Sequence, residues 1–427
     1  MARVTGLKCV SCGEEYPESM MFEGCPRCRD GEFASNLDVE YDYEDLRGLT
    51  RDALSSWKGE GIWRFSALLP VAKQEHRVSL GEGNTPLLEC PSISKLCDAR
   101  ILVKDEARNP TWSYKDRLAC VATGMALQWG ARVTTMASTG NHGAATAAYA
   151  ARAGLDCVIF TLPTVPTAML SLMQSYGAKV LSTTFYGRWR LVSYGVKTFG
   201  WYPMGNYVDA LPTGNPYGGE GYKTIAYEIC LQSGWRVPDM VVCPVGYGDG
   251  FHGIWKGFRE MFDLGLIGKL PRMVAAEPEG GPISNAIDKR LRYPVRVVAK
   301  PTVAFSIRCD LTGVQSVLTV RESGGTAVGV SDPEIMAAQT LLGREGVYAE
   351  PSSAAAVAAA VRLAKSGDIG NGDTVVCILT SSGLKDPGAT ASVQPRPPEI
   401  EPNVDAMLRA LKETFDFDPS AADSRWK

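Results

Sequence analysis

The sequence predicts an α/β protein: two open parallel-sheet α/β domains preceded by a small N-terminal knob. Three observations predict it. Between Leu80 and Leu379, short β-branched runs alternate with longer Ala-rich stretches, the pattern of parallel strands covered by helices on both faces. That alternation runs for about 300 residues, more than one hydrophobic core sustains, so two domains with a cleft between them follow. Ahead of it, Cys9, Cys12, Cys25 and Cys28 form two Cys-x2-Cys turns.

In chain order the knob comes first. Each Cys-x2-Cys turn points two thiolates at one ion, and the stretch between the turns suits a short hairpin, so residues 1–35 read as a zinc ribbon. Four protein ligands leave no open position. The Zn2+ is therefore structural, supplying folding free energy to a segment too small for its own core. The other eight cysteines lie in no close pair and read as buried thiols. Residues 36–78 read as linker and lead-in, polar and acidic at first, then apolar around Ile62, Trp63, Phe65 and Leu68. Buried strands are predicted at 101–104, 133–136, 157–162, 179–181, 240–245, 273–276 and 375–379. Helices are predicted at 116–128, 143–153, 224–233, 253–262, 332–344 and 353–365. The body divides into a large domain, 79–115 with 212–392, and a small one, 116–211. Residues 393–427 read as a proline-rich acidic linker and an amphipathic helix over 404–415.

Composition excludes several classes. Lys+Arg at 44 against Asp+Glu at 47 leaves a net charge of −3, which gives nucleic acid no electrostatic footprint. No apolar stretch reaches the ~18 residues of a membrane span, and residues 1–8 lack the apolar core of a signal peptide. A soluble cytoplasmic protein with no membrane partner is expected.

Four strand-to-helix junctions carry unusual residues, and in an open α/β sheet such junctions lie where ligands bind. The first, Asn109-Pro110-Thr111-Trp112-Ser113-Tyr114-Lys115-Asp116, puts Lys115 in the first turn of a helix, whose dipole disfavours a cation and lowers its pKa. A partly neutral lysine suits attack on a carbonyl; a solvated surface lysine is the bland alternative. The second, Ser138-Thr139-Gly140-Asn141-His142-Gly143, is either a nest of N–H donors for a carboxylate or a plain N-cap. The third, Gly246-Tyr247-Gly248-Asp249-Gly250, opens a helix with alternate glycines, which lets backbone approach an anion such as phosphate. It lacks the closing Gly-Lys-Ser/Thr of a Walker loop and the early position of a dinucleotide fingerprint. The fourth, Thr380-Ser381-Ser382-Gly383-Leu384-Lys385-Asp386, offers hydroxyls either to a heteroaromatic nitrogen or to the strand end.

Together these junctions resemble the β-family (fold type II) of pyridoxal 5′-phosphate enzymes, and within it the threonine synthases. The similarity runs over nearly the whole chain. It includes Ser79-Leu80-Gly81-Glu82-Gly83-Asn84-Thr85-Pro86-Leu87, Asn215-Pro216-Tyr217, Glu220-Gly221-Tyr222-Lys223-Thr224, Glu322-Ser323-Gly324-Gly325 and Glu350-Pro351-Ser352-Ser353. The resemblance implies pyridoxal 5′-phosphate as cofactor, bonded covalently to Lys115, the catalytic lysine. It implies Asn141 as partner of the cofactor 3′-oxygen, a phosphate loop of Gly246, Tyr247, Gly248, Asp249 and Gly250, and Thr380 at the pyridine nitrogen. Ser138, Thr139 and Asn141 are implied to cradle the substrate α-carboxylate. The implied reaction takes phosphate from O-phospho-L-homoserine and adds water to give L-threonine, and a homodimer is the expected assembly.

Departures from the family pattern fall where the substrate side chain sits. Trp112 stands where glycine is usual and is expected to narrow the pocket above the lysine. His142 stands where synthases usually carry threonine and dehydratases often carry histidine. Asp249 sets a carboxylate beside the phosphate unless it points away. Phe185-Tyr186-Gly187-Arg188-Trp189-Arg190 replaces an acidic segment: either Arg188 and Arg190 grip a second anionic group of the amino-acid substrate, or they are a solvated pair. These departures favour an alternative, β-elimination or β-replacement on a serine- or phosphoserine-like amino acid. A zinc-ribbon binding protein on a silent enzyme scaffold is a third reading, against which Lys115 speaks.

Overall fold

The computed structural model describes residues 1–30, 33–208, 213–394 and 396–418. At the N-terminus, β1 (Arg3–Cys9) pairs antiparallel with β2 (Glu15–Tyr16) on one side and β3 (Leu37–Asp42) on the other. The third strand lies in the stretch that the sequence reads as a polar lead-in. Its alternation buries Leu37 and Val39 on one face, a period-2 signal masked by the acidic residues between them.

The body follows with β4 (Leu87–Glu89), β5 (Arg100–Asp105), β6 (Val133–Ala137), β7 (Asp156–Thr161), β8 (Lys179–Ser182), β9 (Tyr202–Pro203), β10 (Met240–Pro244), β11 (Arg272–Pro278), β12 (Thr326–Val330) and β13 (Thr374–Leu379). One sheet has the order β12-β11-β10-β13-β5-β4, parallel apart from the edge strand β4. The other, β8-β7-β6-β9, is wholly parallel. With both faces covered, strands read as unbroken apolar runs: all of β10 is buried, and β13 from Val375 onward. Helix Pro351–Ser366 packs over this sheet on a run of buried alanines, started by Pro351 in its first turn.

Every predicted strand falls on one of β5, β6, β7, β8, β10, β11 and β13, and the predicted helices fall within two residues of Lys115–Gln128, Asn141–Arg152, Lys223–Gln232, Asp332–Arg344 and Pro351–Ser366. Helix Asp249–Asp263 starts earlier than expected, inside the glycine run. The sequence reading missed β12, whose Gly329 interrupts the apolar pattern, and helix Phe185–Phe199, whose glycines and aromatics carry little helix propensity. Thr184 caps that helix by accepting from Gly187 N. The expected domain boundary at 211/212 lies outside the described residues.

Strand order positions the site. β10, β13 and β5 are neighbours in parallel register, Val242 opposite Cys377 and Cys377 opposite Val103, so the loops leaving their carboxyl ends emerge side by side. Those loops are the glycine, threonine and lysine junctions. Among the described residues no helix is long and apolar enough to cross a membrane. The tail from residue 388 forms its own unit, with helix Val404–Phe415 capped by Asn403, whose side chain accepts from Ala406 N.

Candidate active site

Lys115 opens helix Lys115–Gln128. Asp116 folds back to accept from N and Oγ1 of Thr111 at 2.7 and 2.6 Å, fixing the loop before it. That loop is stitched to the threonine junction: Tyr114 N donates to Thr380 O (2.9 Å), Ser382 N to Trp112 O (3.1 Å) and Ser381 Oγ to the same Trp112 oxygen (3.0 Å). Lys115 Nζ lies 4.9 Å from the centre of the Tyr114 ring and 5.6 Å from that of Tyr222, and makes no hydrogen bond among the described residues. Its pKa is lowered, chiefly by burial, against the opposing carboxyls of Asp249 and Glu350. The direction agrees with the sequence reading; the main cause is burial rather than the helix end.

The glycine run turns from β10 into helix Asp249–Asp263. Gly248 has φ of 96°, and a Cβ there would lie 1.9 Å from Ser316 Oγ; one at Gly250 would lie 2.5 Å from the Tyr114 ring. The N–H groups of Gly248, Asp249 and Gly250 make no hydrogen bond among the described residues, so they stand as orphan donors at a helix start. Asp249 Oδ1 accepts from Gln315 Nε2 (3.1 Å) on the side of Gly214, and burial raises the pKa of its carboxyl. Tyr247 is partly exposed.

At the second junction Ser138 Oγ accepts from Gly140 N (3.2 Å) and Gly143 N (2.9 Å). The N–H groups of Thr139, Asn141 and His142 remain without an acceptor among the described residues, so capping and nest coexist. Asn141 Nδ2 donates to Glu350 (3.3 Å) and Asn141 Oδ1 accepts from Ser381 Oγ (3.2 Å). Thr380 Oγ1 shares a hydrogen bond with Ser353 Oγ (2.9 Å). Burial and the nearby Lys115 charge push His142 down to about 3, and its Nε2 has no partner among the described residues.

Lys115, the glycine run, Asn141 and Thr380 are thus brought together through Tyr114 and Ser381. Arg190 is not, and Arg188 approaches the group only on the side of Tyr247. Arg188 is buried and stacks on Phe185 (4.8 Å) and Trp189 (5.3 Å) of its own helix, whereas Arg190 is exposed. Trp112 has a left-handed φ of 58° and its indole is 43 % exposed. A glycine would take that backbone angle without strain. Glu350, Ser353, Ser381 and Lys385 were missed as site residues, although all four lie in motifs already singled out in the sequence.

The pyridoxal-phosphate dependent enzyme family matches residues 78–381 of this chain. The chain belongs to that family. It is 36 % identical over 415 residues to the threonine synthase of Methanocaldococcus jannaschii, covering 95 % of this chain and 99 % of the relative. It is 38 % identical to the threonine synthase of Methanosarcina acetivorans, covering 95 % and 98 %. Among solved structures, the processed threonine deaminase isoform 2 of Solanum lycopersicum matches with a TM-score of 0.63 at 21 % identity, over 79 % of this chain and 96 % of that one. Maize serine racemase matches with a TM-score of 0.62 at 20 % identity, over 72 % and 91 %. At that identity the two structures share the fold.

The residues present fit the family's cofactor. Orphan N–H donors at the glycine run suit a phosphate, Lys115 offers an amine without an acceptor, and Thr380 offers a buried neutral hydroxyl. The cysteines likewise fit a tetrahedral metal. All four sulfurs lie within 4.8 Å of one another, with Cys9 to Cys28 at 3.7 Å and Cys12 to Cys25 at 3.9 Å. A tetrahedron of zinc-bound thiolates has edges of about 3.8 Å. β3 is bonded to the glycine-run helix, where His252 Nε2 meets Asp38 Oδ1 (2.9 Å) and Lys256 Nζ donates to Val39 O (2.6 Å), and to the turn Glu220–Tyr222, where Tyr41 Oη donates to Glu220 (2.8 Å).

Proposed function

We propose that the chain is a pyridoxal phosphate-dependent threonine synthase, releasing phosphate from O-phospho-L-homoserine and adding water at Cβ to give L-threonine. End-to-end similarity to threonine synthases carries the reading, 36 % identity across 95 % of this chain for one of them. When bound, the cofactor supplies a sink for the electron pair left as Cα loses its proton. The chain's own residues do the rest. Lys115, its pKa lowered by burial, takes the proton from Cα and moves protons at the neighbouring carbons. The N–H groups of Thr139, Asn141 and His142, with Ser138 shaping the turn, hold the α-carboxylate. Gly246, Tyr247, Gly248, Asp249 and Gly250 would hold the cofactor phosphate, Asn141 its 3′-oxygen and Thr380 its pyridine nitrogen. A neutral hydroxyl there stabilises ring charge less than a carboxylate does, which favours elimination and replacement over transamination. Arg188, with no carboxylate partner among the described residues, is the cation for the substrate's second anion. In the same reading the cysteine cluster holds a structural Zn2+, and the enzyme is a cytoplasmic homodimer.

A steady-state assay tests the function: O-phospho-L-homoserine should give equal amounts of inorganic phosphate and threonine. A second reading, β-elimination or β-replacement on a serine-like amino acid, has His142 in its favour, a neutral imidazole with an unpartnered nitrogen beside Lys115. A keto acid or a β-substituted product, without threonine, would move the assignment to it.

A further inference from the structure

The threonine junction holds a second lysine that the reaction above leaves unused. Lys385 closes the short turn Gly383–Lys385 and is 3 % exposed. Its Nζ is buried and has no hydrogen-bond partner among the described residues. Lys115 aside, the other buried lysines are engaged. Lys104 Nζ bonds Thr85 O, Glu228 and Gln232; Lys223 Nζ bonds Leu68 O and Glu260; Lys256 Nζ bonds Val39 O and Glu220. A buried amine without an acceptor is costly, and buried polar groups left unpaired concentrate where function needs them.

Backbone bonds bring two carboxyls to the turn of Lys385: Glu350 N donates to Ser381 O (3.1 Å) and Lys385 N to Ser382 O (3.2 Å), while Ser382 N donates to Trp112 O (3.1 Å) in the loop that Asp116 holds, and the charges of Asp116 and Glu350 both act on the amine. They belong to different elements, Asp116 to helix Lys115–Gln128 and Glu350 to the cap of helix Pro351–Ser366. Asp116 holds Thr111 and with it the loop that delivers Lys115. Glu350 accepts from Ser306 Oγ (3.0 Å) and from Asn141 Nδ2, the amide read as the partner of the cofactor 3′-oxygen. On the reading of this cleft as a pyridoxal phosphate site, we propose that Lys385 is a positioning residue: its amine keeps Glu350 an anion, so that the carboxylate accepts from Asn141 and fixes the amide's orientation.

Burial raises the pKa of Glu350, and Lys385 is the first charge opposing it. Burial likewise pushes Asp116 up to about 7, with Lys385 opposing, and pushes Lys385 down to about 8. Without the amine, Glu350 takes up a proton nearer neutral pH. An ionised carboxylate only accepts hydrogen bonds, whereas a protonated one also donates, so the bond from Asn141 loses its fixed sense.

The test uses Lys385→Met, Lys385→Arg, Glu350→Gln and the double variant Lys385→Met/Glu350→Gln, each loaded with pyridoxal phosphate. The cofactor's absorbance band is titrated with pH beside kcat and KM. Lys385→Met should move the acid limb of kcat, and the matching transition of the band, upward by about one pH unit or more. It should lower kcat by about tenfold with KM little changed, and Lys385→Arg should restore the limb. Glu350→Gln should erase the limb, and adding Lys385→Met to it should cost little more. An unmoved limb in folded Lys385→Met, or fully multiplicative effects in the double variant, overturns the proposal. Should Lys385→Met fail to fold, wild type against Glu350→Gln decides: identical band titrations overturn it, and a transition lost in Glu350→Gln together with a restored limb in Lys385→Arg supports it. Wild-type protein that takes up no cofactor overturns the functional reading as well, whereas a loaded wild type with an unmoved limb in Lys385→Met overturns this proposal alone.

Discussion

Two residues apart on one helix, Lys115 and Arg117 meet opposite treatment. Arg117 is fully buried and all its arms are used: on Glu106 at 2.7 and 2.8 Å, on Glu228 at 2.8 and 2.7 Å, and on Thr224 at 2.8 Å. Although burial opposes the charge, the two glutamates hold the guanidinium protonated. Lys115 has aromatic faces for neighbours and no acceptor. The same contrast separates the closed network of Lys104, Arg117, Glu106 and Glu228 from the open N–H groups of the glycine run and of Thr139, Asn141 and His142. Where the task is architecture, polar groups are paired inside the chain; where it is chemistry, donors are left for a ligand.

The largest break in that contrast comes from Lys115→Ala. Turnover should fall by about a thousandfold or more, while circular dichroism and the unfolding midpoint stay within about 0.5 kcal/mol of wild type. Normal turnover in this variant would remove the proposed chemistry. Arg117→Met is the mirror experiment, since it strands two buried carboxylates. It should cost about 3–5 kcal/mol in denaturant unfolding. A loss below 1 kcal/mol would mean that the network is not what holds this helix in place.

His142 sharpens the comparison through pH. Its imidazole, pushed down from 6.5 to about 3 by burial and by Lys115, refuses a proton that the unfolded chain accepts in that window. Stability should therefore decline as pH falls below 6.5, by up to about 1.4 kcal/mol per pH unit from this group. His142→Gln should flatten that part of the curve, and an unchanged slope would reassign it to other groups. The smallest effect concerns Trp112. Relief of its left-handed backbone should let Trp112→Gly gain up to about 1 kcal/mol, a rise of about 1–2 °C in Tm. A lower Tm would show that contacts of the indole outweigh the strain.

Most of the strands were legible because a strand buried on both faces is written as an unbroken apolar run, as in 240–244 and 375–379. What escaped was written in mixed signals. β3 hides Leu37 and Val39 among acidic residues, and helix Phe185–Phe199 contains Gly187 and Gly195. That miss reached the site. Read as an irregular segment, Arg188 and Arg190 pass for a pair; on a helix, residues two apart point to opposite sides, and one is buried while the other is exposed. Lys115 and the glycine run stand out locally, one as a cation at a helix start and the other by composition. The triangle of Lys385, Asp116 and Glu350 does not, because its members are far apart in sequence and meet through the pairing of β13 with β5 and the bond from Glu350 N to Ser381 O.

A protein engineer seeking a smaller catalyst would look first at trimming everything ahead of Glu44. The bond from His252 N to Gly248 O (2.9 Å) speaks against it. One turn beyond the glycine run, the helix offers its imidazole to Asp38, and farther along it Lys256 reaches Val39 O. Cutting away the knob would wet a surface whose charges were arranged for a dry neighbour, directly behind the loop that must stay still. Minimal versions of this chain should therefore keep the strand Leu37–Asp42.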